Sequence, residues 1–253
     1  MPAESPVSLK VTGRTATVYL DRPNSGNRVD ERLAAELRDA FDQVERDDTV
    51  WVAVLAGRGG SFCDGTEFPD PHFLRPTERL RVSDRIASFS KPLVAALNGT
   101  ALDQGLELAL ACDFRVAADG ARLGLTQTLT GIIPWDGGTQ RLPRLIGQGR
   151  ALEMIMTART VDAREALALG LVDRVVDRDG VVEEATGLAD TIAQHGPIAA
   201  RYAKEAVRAG QDLSMAQGMR LEADLNILLL GTEDRAEGIR SFIEKRPPVY
   251  RGE

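Results

Sequence analysis

The sequence predicts an α/β protein made of repeated strand-strand-helix units, followed by a helical C-terminal region. Short apolar or alternating runs bounded by turn residues recur through the first two thirds, and stretches of helical periodicity separate them. The last third has helical periodicity and little strand potential. With 253 residues and a hydrophobic fraction of 43%, the chain is long enough to bury a sizeable core.

The first unit comprises a hairpin and a helix. Val7–Val11 and Thr15–Leu20 alternate around Gly13 as the two strands of a hairpin do. Asp30 is expected to cap a helix over Glu31–Asp47, in which apolar residues recur at helical spacing. Strand, strand and helix therefore open the chain in that order.

Further units follow in the middle of the chain. Trp51–Ala56 and Leu93–Leu97 have the wholly apolar pattern of buried strands, and Glu78–Phe89 between them is predicted to be helical. Leu106–Ala111 is a second helix candidate, and Phe114–Ala117 is strand-like. The alternation of strands and helices thus continues beyond the first unit.

From Gly138 onward helical periodicity dominates, with interruptions at Leu171–Val176 and at Gly196-Pro197. The change in composition at Gly196 predicts two regions. Residues 1–195 are expected to form the core that carries the functional site, and residues 196–253 a helical region for subunit contacts.

The C-terminal region is expected to contain three helices, broken near Gly210 and near Gly231-Thr232. Its segment Leu225–Leu230 is apolar on more than one helix face. Such a helix needs cover either from its own domain or from another subunit, and the sequence leaves both open.

Composition excludes several classes of function. Lys and Arg number 31 against 38 Asp and Glu, a net charge of −7 that argues against nucleic-acid or polybasic membrane binding. Two cysteines, Cys63 and Cys112, favour a reducing compartment over a disulfide framework. No signal-peptide pattern opens the sequence, and it has no run of roughly 18 apolar residues. We therefore expect a cytoplasmic protein whose partner is a small molecule or another protein.

Hydrolytic triads and metal sites are also disfavoured. The two histidines, His72 and His195, lie in unremarkable sequence, and no Gly-x-Ser-x-Gly turn is present. Neither histidine has a second one at helical spacing, so no metal site is expected. The glycine-rich stretch Gly57–Phe62 lacks the third glycine and the helix of a dinucleotide-binding turn. Carboxylates and backbone amides remain as the candidate catalytic groups.

The most informative segment is Lys91–Asp113. A buried strand ends at Asn98-Gly99, and Asp103 is expected to cap a helix that starts near Gln104. The first amides of that helix are free to bind a developing oxyanion. Glu107 follows Gln104 by three residues, so its carboxylate and the Gln104 amide belong to one face of the first turn.

Glu107 has two interpretations. An acidic residue in a first turn can simply complement the helix dipole. However, the apolar residues around it make the helix apolar nearly all round, and a carboxylate on a buried helix is costly unless it is paired or used. We favour a functional role, because desolvation would raise its pKa into the range that suits a general acid or base.

Five blocks in this order along the chain resemble the enoyl-CoA hydratase/isomerase (crotonase) superfamily. The resemblance implies a crotonase-like spiral of repeated strand-strand-helix units with a C-terminal helical oligomerisation region. It also implies a coenzyme A thioester substrate, a trimer or dimer of trimers, and no cofactor apart from the coenzyme A of the substrate. The blocks are Ser61–Glu67, Lys91–Asp113, Gly131–Leu142, Ala163–Val172 and Phe242–Arg246.

The resemblance implies roles for individual residues. The family's oxyanion hole consists of two backbone amides, which correspond here to Thr66 and Gln104. Glu107 matches the first catalytic glutamate of the hydratases. The residues implied in coenzyme A binding are Arg22 in the Asp-Arg-Pro turn, the carbonyl of Asp64 beside the adenine, and Lys245 near the phosphates, unless Lys245 is an ordinary basic helix end.

Three positions depart from the family pattern. Asp103-Gln104-Gly105 replaces three glycines, which predicts a differently shaped acyl group. Gln127 stands where typical hydratases have a second glutamate, and an amide cannot transfer a proton in the usual way. Trp135-Asp136 replaces small residues, and family members that isomerise dienoyl groups or do carbon-carbon bond chemistry place an aspartate at a corresponding point. Asp136 is therefore a candidate second catalytic carboxylate, or else a cap of the following helix.

The sequence hypothesis is an enzyme that stabilises a thioester enolate and moves protons with Glu107 and Asp136. Its substrate would be a non-standard enoyl- or dienoyl-CoA that is hydrated or isomerised. Two alternatives stay open: a hydrolase that cleaves a ring or a carbon-carbon bond of a ketoacyl-CoA, and a non-catalytic subunit that binds acyl-CoA. Loss of the second glutamate at Gln127 and the altered triplet Asp103-Gln104-Gly105 are the features that favour the non-catalytic subunit.

Overall fold

The computed structural model describes residues 5–68 and 77–253, and in these ranges the strands form two sheets. The strands are β1 (Val7–Thr12), β2 (Thr15–Leu20), β3 (Val52–Gly57), β4 (Ser61–Cys63), β5 (Leu93–Leu97), β6 (Thr100–Leu102), β7 (Phe114–Ala118), β8 (Arg122–Gly124), β9 (Thr160–Asp162) and β10 (Arg174–Val176). The helices are α1 (Glu31–Arg46), α2 (Ser83–Ala87), α3 (Gln104–Ala111), α4 (Gly138–Ile146), α5 (Gln148–Thr157), α6 (Ala163–Leu169), α7 (Val181–Ala193), α8 (Pro197–Gly210), α9 (Met215–Leu229) and α10 (Glu233–Glu244).

The larger sheet has the order β1-β2-β3-β5-β7-β10, and the smaller has the order β4-β6-β8-β9. β1 and β2 form the predicted antiparallel hairpin, and the strands from β2 to β10 in this sheet are parallel. The pairs β3 and β4, β5 and β6, and β7 and β8 each place one strand in either sheet. The chain therefore winds as a spiral of repeated units, which confirms the predicted fold class.

Burial explains why these segments form the core. Every residue of β2, β3 and β5 is buried, as expected for strands covered on both faces. α1 lies against the sheet through its predicted apolar face, and Phe41 from this helix packs edge-on against Phe89 at 5.2 Å between ring centroids. The Asp30 carboxylate caps α1 by accepting a hydrogen bond from the Leu33 amide, as predicted.

Some element boundaries differ from the sequence prediction. The helix expected over Glu78–Phe89 consists of a 3-10 turn at Glu78–Leu80 followed by the short α2. The interruption of helical periodicity at Leu171–Val176 contains the short strand β10. β9 was not predicted, because only its central residue, Val161, is buried and three residues give no recognisable alternation.

The three predicted C-terminal helices are α8, α9 and α10, and α8 is fixed to the core by charged side chains. Lys204 Nζ and Arg208 Nη2 each lie 2.8 Å from a carboxylate oxygen of Asp113, which follows α3. Lys204 also donates to the carbonyl of Lys91 at 2.7 Å. These contacts attach α8 beside the C-terminal end of α3.

Candidate active site

The candidate site lies where three neighbouring parallel strands end. β4, β6 and β8 are adjacent in the smaller sheet, so their carboxyl ends lie at one edge. Thr66, Gln104 and Gln127 each follow the end of one of these strands. The topology thus brings together three residues that are far apart in the sequence.

Thr66 and Gln104 are in direct contact. The Thr66 hydroxyl donates to Oε1 of Gln104 at 2.7 Å. Gly105 lets the start of α3 lie against the end of β4, because a Cβ at that position would lie 2.1 Å from the carbonyl oxygen of Cys63. Within the described parts of the chain, neither the Thr66 amide nor the Gln104 amide has a hydrogen-bond acceptor. Both amides are therefore available to a ligand oxygen.

Asp103 precedes α3 but does not cap it through its side chain, so that expectation was wrong. Its backbone has φ 51°, a left-handed conformation that favours glycine. The carboxylate points instead to the loop after β8, where it accepts from the amide and the hydroxyl of Thr126 at 2.6 and 2.9 Å. Asp103 therefore joins the start of α3 to the segment that carries Gln127.

α3 is buried along its whole length, and Glu107 is fully buried within it. Oε1 of Glu107 accepts hydrogen bonds from the amides of Asp136 and Gly138, both at 2.8 Å. Oε2 accepts a longer bond from Nε2 of Gln127, at 3.3 Å. Burial raises the pKa of Glu107 to about 8, although the amide of Gly138 opposes the shift.

Gly138 is required beside this carboxylate. A Cβ on Gly138 would lie 3.0 Å from Oε1 of Glu107 and 2.9 Å from side-chain carbons of Leu125 and Pro134. α4 begins at this glycine, so its first amide points to the carboxylate and holds Oε1 as an acceptor. This donor was not predicted, although the glycine pair before a helix is a signal that could have indicated it.

Asp136 is also buried, with 1% of its surface exposed. Oδ2 accepts from the amides of Val82 and Ser83 at 3.2 Å and from Nε2 of Gln104 at 3.0 Å. Burial raises the pKa of this carboxyl. The alternative in which Asp136 caps the following helix is wrong, because α4 has Gly137 at its N-cap and no side-chain cap.

Gln127 begins a 3-10 turn at Gln127–Thr130 and is 7% exposed. Its Nε2 donates to Glu107, whereas its Oε1 is buried and accepts no hydrogen bond from any described residue. A buried acceptor without a donor is uncommon in proteins and calls for an explanation. A ligand or water at the Glu107 carboxylate would supply the missing donor.

Comparison with known proteins shows the family of this chain. The family model described as enoyl-CoA hydratase/isomerase matches residues 12–253. The chain belongs to the enoyl-CoA hydratase/isomerase family.

Two curated members of the enoyl-CoA hydratase/isomerase family illustrate the likeness. The chain is 38% identical to (E)-benzylidenesuccinyl-CoA hydratase of Thauera aromatica, over 98% of this chain and 99% of the relative. It is 36% identical to 2,3-dehydroadipyl-CoA hydratase of Escherichia coli strain K12, over 94% and 96%. Among solved structures, enoyl-CoA hydratase from Bacillus anthracis superposes with a TM-score of 0.93 at 39% identity, covering 98% and 100%.

Two of the residues implied in coenzyme A binding lie near Thr66. The loop that contains Arg22 runs beside the segment after β4: Asp64 donates through its amide to the Gly26 carbonyl, and Val29 pairs with Thr66. The Arg22 guanidinium lies 2.6 Å from a carboxylate oxygen of Asp30 and 2.9 Å from one of Glu67. Two carboxylates of the same chain therefore hold the Arg22 guanidinium in place.

Lys245 is far from Arg22 and Asp64 in the sequence and lies at the end of the last helix, α10. It ends α10 in a left-handed conformation, with φ 53°. No described residue shares a hydrogen bond or an ion pair with its ammonium group, so no such contact links Lys245 to Arg22 or Asp64. Its role in coenzyme A binding stays a prediction.

Other candidates for chemistry are few. No cluster of three or more His, Cys, Asp or Glu residues in the described ranges has the arrangement of a metal site. His72 lies outside the described residues, and His195 is exposed and contacts the Thr191 carbonyl. Within the same ranges, no helix is long and apolar enough to span a bilayer. Both cysteines are buried free thiols.

Proposed function

We propose that the protein hydrates a substituted 2-enoyl-CoA, with the thioester oxygen bound by the amides of Thr66 and Gln104. The observation that carries this proposal is the Glu107 carboxylate, which is buried in the first turn of α3, the helix that begins with the Gln104 amide, and has a pKa raised to about 8 by that burial. A group with such a pKa can take up and release a proton near neutral pH. Two preorganised amides stabilise the enolate that forms in between.

The two oxygens of Glu107 have different parts in this reaction. Two amides hold Oε1 as an acceptor, so Oε2 is the oxygen that exchanges a proton. In the ionised state Oε2 takes a proton from water while the water oxygen bonds to Cβ of the enoyl group. The electron pair of the double bond moves to the thioester oxygen. Oε2 then returns the proton to Cα as the enolate collapses, so one carboxyl group serves both transfers.

Gln127 has a supporting part in this scheme. It cannot transfer a proton, but its Oε1 is buried without a donor from the described residues, on the same amide whose Nε2 contacts Oε2 of Glu107. We assign Oε1 the second hydrogen of the attacking water. Held at both hydrogens, the water has its lone pair directed at Cβ.

The relatives support a substituted acyl group. The two named above are hydratases of (E)-benzylidenesuccinyl-CoA and of 2,3-dehydroadipyl-CoA, and neither name describes a plain straight-chain monoacid. The proposed reaction needs no cofactor apart from the coenzyme A of the substrate. We further propose a cytoplasmic location, since free thiols such as Cys63 and Cys112 are typical of a reducing compartment.

Isomerisation is the second candidate, and the single proton-transfer carboxyl favours it. Glu107 could take a proton from Cγ and return it to Cα without water. The test is turnover of a panel of linear, branched, cyclic, aryl-substituted and carboxylated enoyl- and dienoyl-CoA esters, followed by mass spectrometry. Gain of the mass of water supports hydration, an unchanged mass with a shifted double bond supports isomerisation, and cleavage or no turnover contradicts both.

A further inference from the structure

Two of the three departures from the family pattern contact each other. Relative to the family pattern, Gln104 replaces a glycine at the start of α3, and Asp136 replaces a small residue before α4. They are 32 positions apart, yet Nε2 of Gln104 donates to Oδ2 of Asp136 at 3.0 Å, and both side chains are buried. The two substitutions therefore act at one place in the folded molecule.

Both polar atoms of the Gln104 side chain have partners. Nε2 donates to the Leu80 carbonyl at 2.6 Å as well as to Asp136, and Oε1 accepts from the Thr66 hydroxyl. A buried amide with all these bonds has a fixed orientation. The backbone amides of Gln104 and Thr66 are the two proposed oxyanion donors. Because the Gln104 side chain is bonded to the Thr66 hydroxyl, it fixes these two amides relative to each other.

Asp136 extends this link to the carboxyl group of Glu107. Its carboxylate is held by the amides of Val82 and Ser83 and by Gln104, whereas its own amide donates to Oε1 of Glu107 at 2.8 Å. Asp136 thus contacts the Gln104 side chain through its carboxylate and the Glu107 carboxylate through its backbone amide. Its oxygens already accept bonds from three donors, which is the environment of a carboxylate that holds other groups in place.

We propose that Gln104 and Asp136 are a positioning pair that fixes the amides of Thr66 and Gln104 relative to Glu107. Asp136 then acts through its partners and exchanges no proton with the substrate. This inference rests on the proposed function for the identity of the reacting oxygen. It differs from the sequence hypothesis, in which Asp136 is the second proton-transfer carboxylate.

Keeping and removing the acceptor at position 136 tests the pair. In Asp136→Asn the amide oxygen can take the place of Oδ2 and accept from Nε2 of Gln104 and from the amides of Val82 and Ser83. Asp136→Leu has no acceptor, so the bond to Gln104 is lost. Asp136→Leu should therefore lower kcat by roughly 10²-fold, the cost of a displaced oxyanion donor, whereas Asp136→Asn should stay within about tenfold of the parent.

Two further readouts separate positioning from a general loss of structure. KM should change little and the pH profile of kcat should keep its shape in each variant, because Glu107 alone titrates in the reaction; Asp136→Asn should also keep the melting temperature of the parent. Gln104→Met keeps the length of the side chain and the backbone amide, and should also lower kcat by roughly 10²-fold. The matched controls at exposed positions are Gln148→Met and Asp48→Asn, which should behave as the parent.

Binding gives a readout that does not depend on the proposed reaction. Butyryl-CoA labelled with ¹³C at the thioester carbonyl should show a lowered carbonyl stretch when bound to the parent, because two amides polarise it. The shift should be lost in Asp136→Leu and Gln104→Met and kept in Asp136→Asn. An Asp136→Asn variant as impaired in kcat as Asp136→Leu would overturn the proposal. So would Asp136→Leu and Gln104→Met variants that stay within a few-fold of the parent in kcat and keep the parent shift. A parent that shifts the carbonyl but turns over no ester would refute the proposed function alone.

Discussion

The environment of Glu107 has a cost that depends on pH. Its carboxyl group is buried among apolar residues of α3, and only three donors among the described residues compensate the loss of water. Burial therefore favours the protonated form, which is why the pKa rises to about 8. The same property that makes the group a proton donor and acceptor near neutral pH makes it a source of instability at alkaline pH.

Glu107→Gln should abolish most of the activity without preventing folding. The new amide oxygen can accept from the amides of Asp136 and Gly138, and the new NH₂ can donate to Oε1 of Gln127 if that amide turns over. Turnover should fall by roughly 10²–10⁴-fold, the usual contribution of a general acid or base. The dissociation constant for a CoA ester should stay within a few-fold, as measured by titration calorimetry.

The exposed Glu205→Gln is the control for this charge change. It should leave turnover unchanged. If Glu107→Gln keeps turnover within a few-fold of the parent, the role proposed for Glu107 is incorrect.

Stability should fall as the pH rises toward the pKa of folded Glu107. The ordinary pKa of 4.5 applies in the unfolded chain and about 8 in the folded one, so the folded chain binds more protons between these values. The contribution of Glu107 is therefore most favourable below pH 4.5 and is lost progressively as the pH rises through about 8. Urea unfolding at several pH values should show this loss in the parent and not in Glu107→Gln.

Asp103 and Asp136 also have raised pKa values and contribute with the same sign. The difference between the parent and Glu107→Gln isolates Glu107, because both proteins contain the other two groups. A difference in unfolding free energy that stays constant from pH 5 to pH 8 would contradict the assignment.

At the scale of elements, the sequence predicts α3 and its role better than it predicts the loop before α4. The start of α3 at Gln104, its burial and the placement of Glu107 follow from an apolar run after a strand and turn. The position of Asp136 depends on Val82 and Ser83, more than 50 residues away, and no local pattern in the sequence records that contact. The same long-range constraint explains why the capping alternative was wrong.

The side chain of Asp103 shows how a local rule fails. Aspartate before a helix usually caps it, and the sequence offers no sign of a competing partner. In the folded chain the backbone at Asp103 is left-handed, so its carboxylate turns away from the amides of α3 to Thr126. The amide of Gln104, which the proposed chemistry needs, has no acceptor among the described residues, and a capping Asp103 would not have occupied it, because an N-cap side chain accepts from the second or third helical residue.

The attachment of α8 to the core depends on Asp113. Its carboxylate is half enclosed between Lys204 and Arg208, and it also accepts from the amide of Leu93 at 2.8 Å. Asp113→Asn should lower the free energy of unfolding by about 3 kcal/mol, because it leaves a buried ammonium group at Lys204 without its counter-charge. Urea denaturation measures this change.

Asp212→Asn is the matched control for the attachment of α8, because Asp212 is exposed and lies 4.0 Å from Arg144. It should leave the denaturation midpoint nearly unchanged. Equal midpoints for the two variants would show that Asp113 does not anchor α8.

At the scale of the molecule, α9, α10 and the residues beside them carry large apolar side chains that the described chain leaves uncovered. Leu225 is buried within the chain, so its own domain supplies part of the cover that the sequence requires. Leu221 and Leu229 are half-buried, but several other large apolar residues are exposed, and Phe242 is 84% exposed. We call this set the C-terminal apolar face; it comprises Met215, Met219, Ile227, Leu228, Leu230, Ile239, Phe242 and Ile243.

A face of this size predicts that the protein is a trimer or a dimer of trimers, as expected from the sequence. Soluble monomers rarely expose several large apolar side chains together, whereas subunit contacts bury them. Static light scattering at micromolar concentration should give the mass of three or six chains of 27.4 kDa. A mass of one chain would contradict the prediction.

Substitution can show whether the C-terminal apolar face makes that contact. A charge at Phe242 would be buried once for every interface of a closed ring, so Phe242→Glu combined with Leu228→Glu should shift the mass toward the monomer. The control is Val11→Glu, at an exposed apolar residue on the edge strand β1 and outside this face. If the doubly substituted protein keeps the mass of the parent, the subunits meet through another surface. If only the control dissociates, that surface includes the edge of the larger sheet, and the apolar residues of α9 and α10 need a different partner.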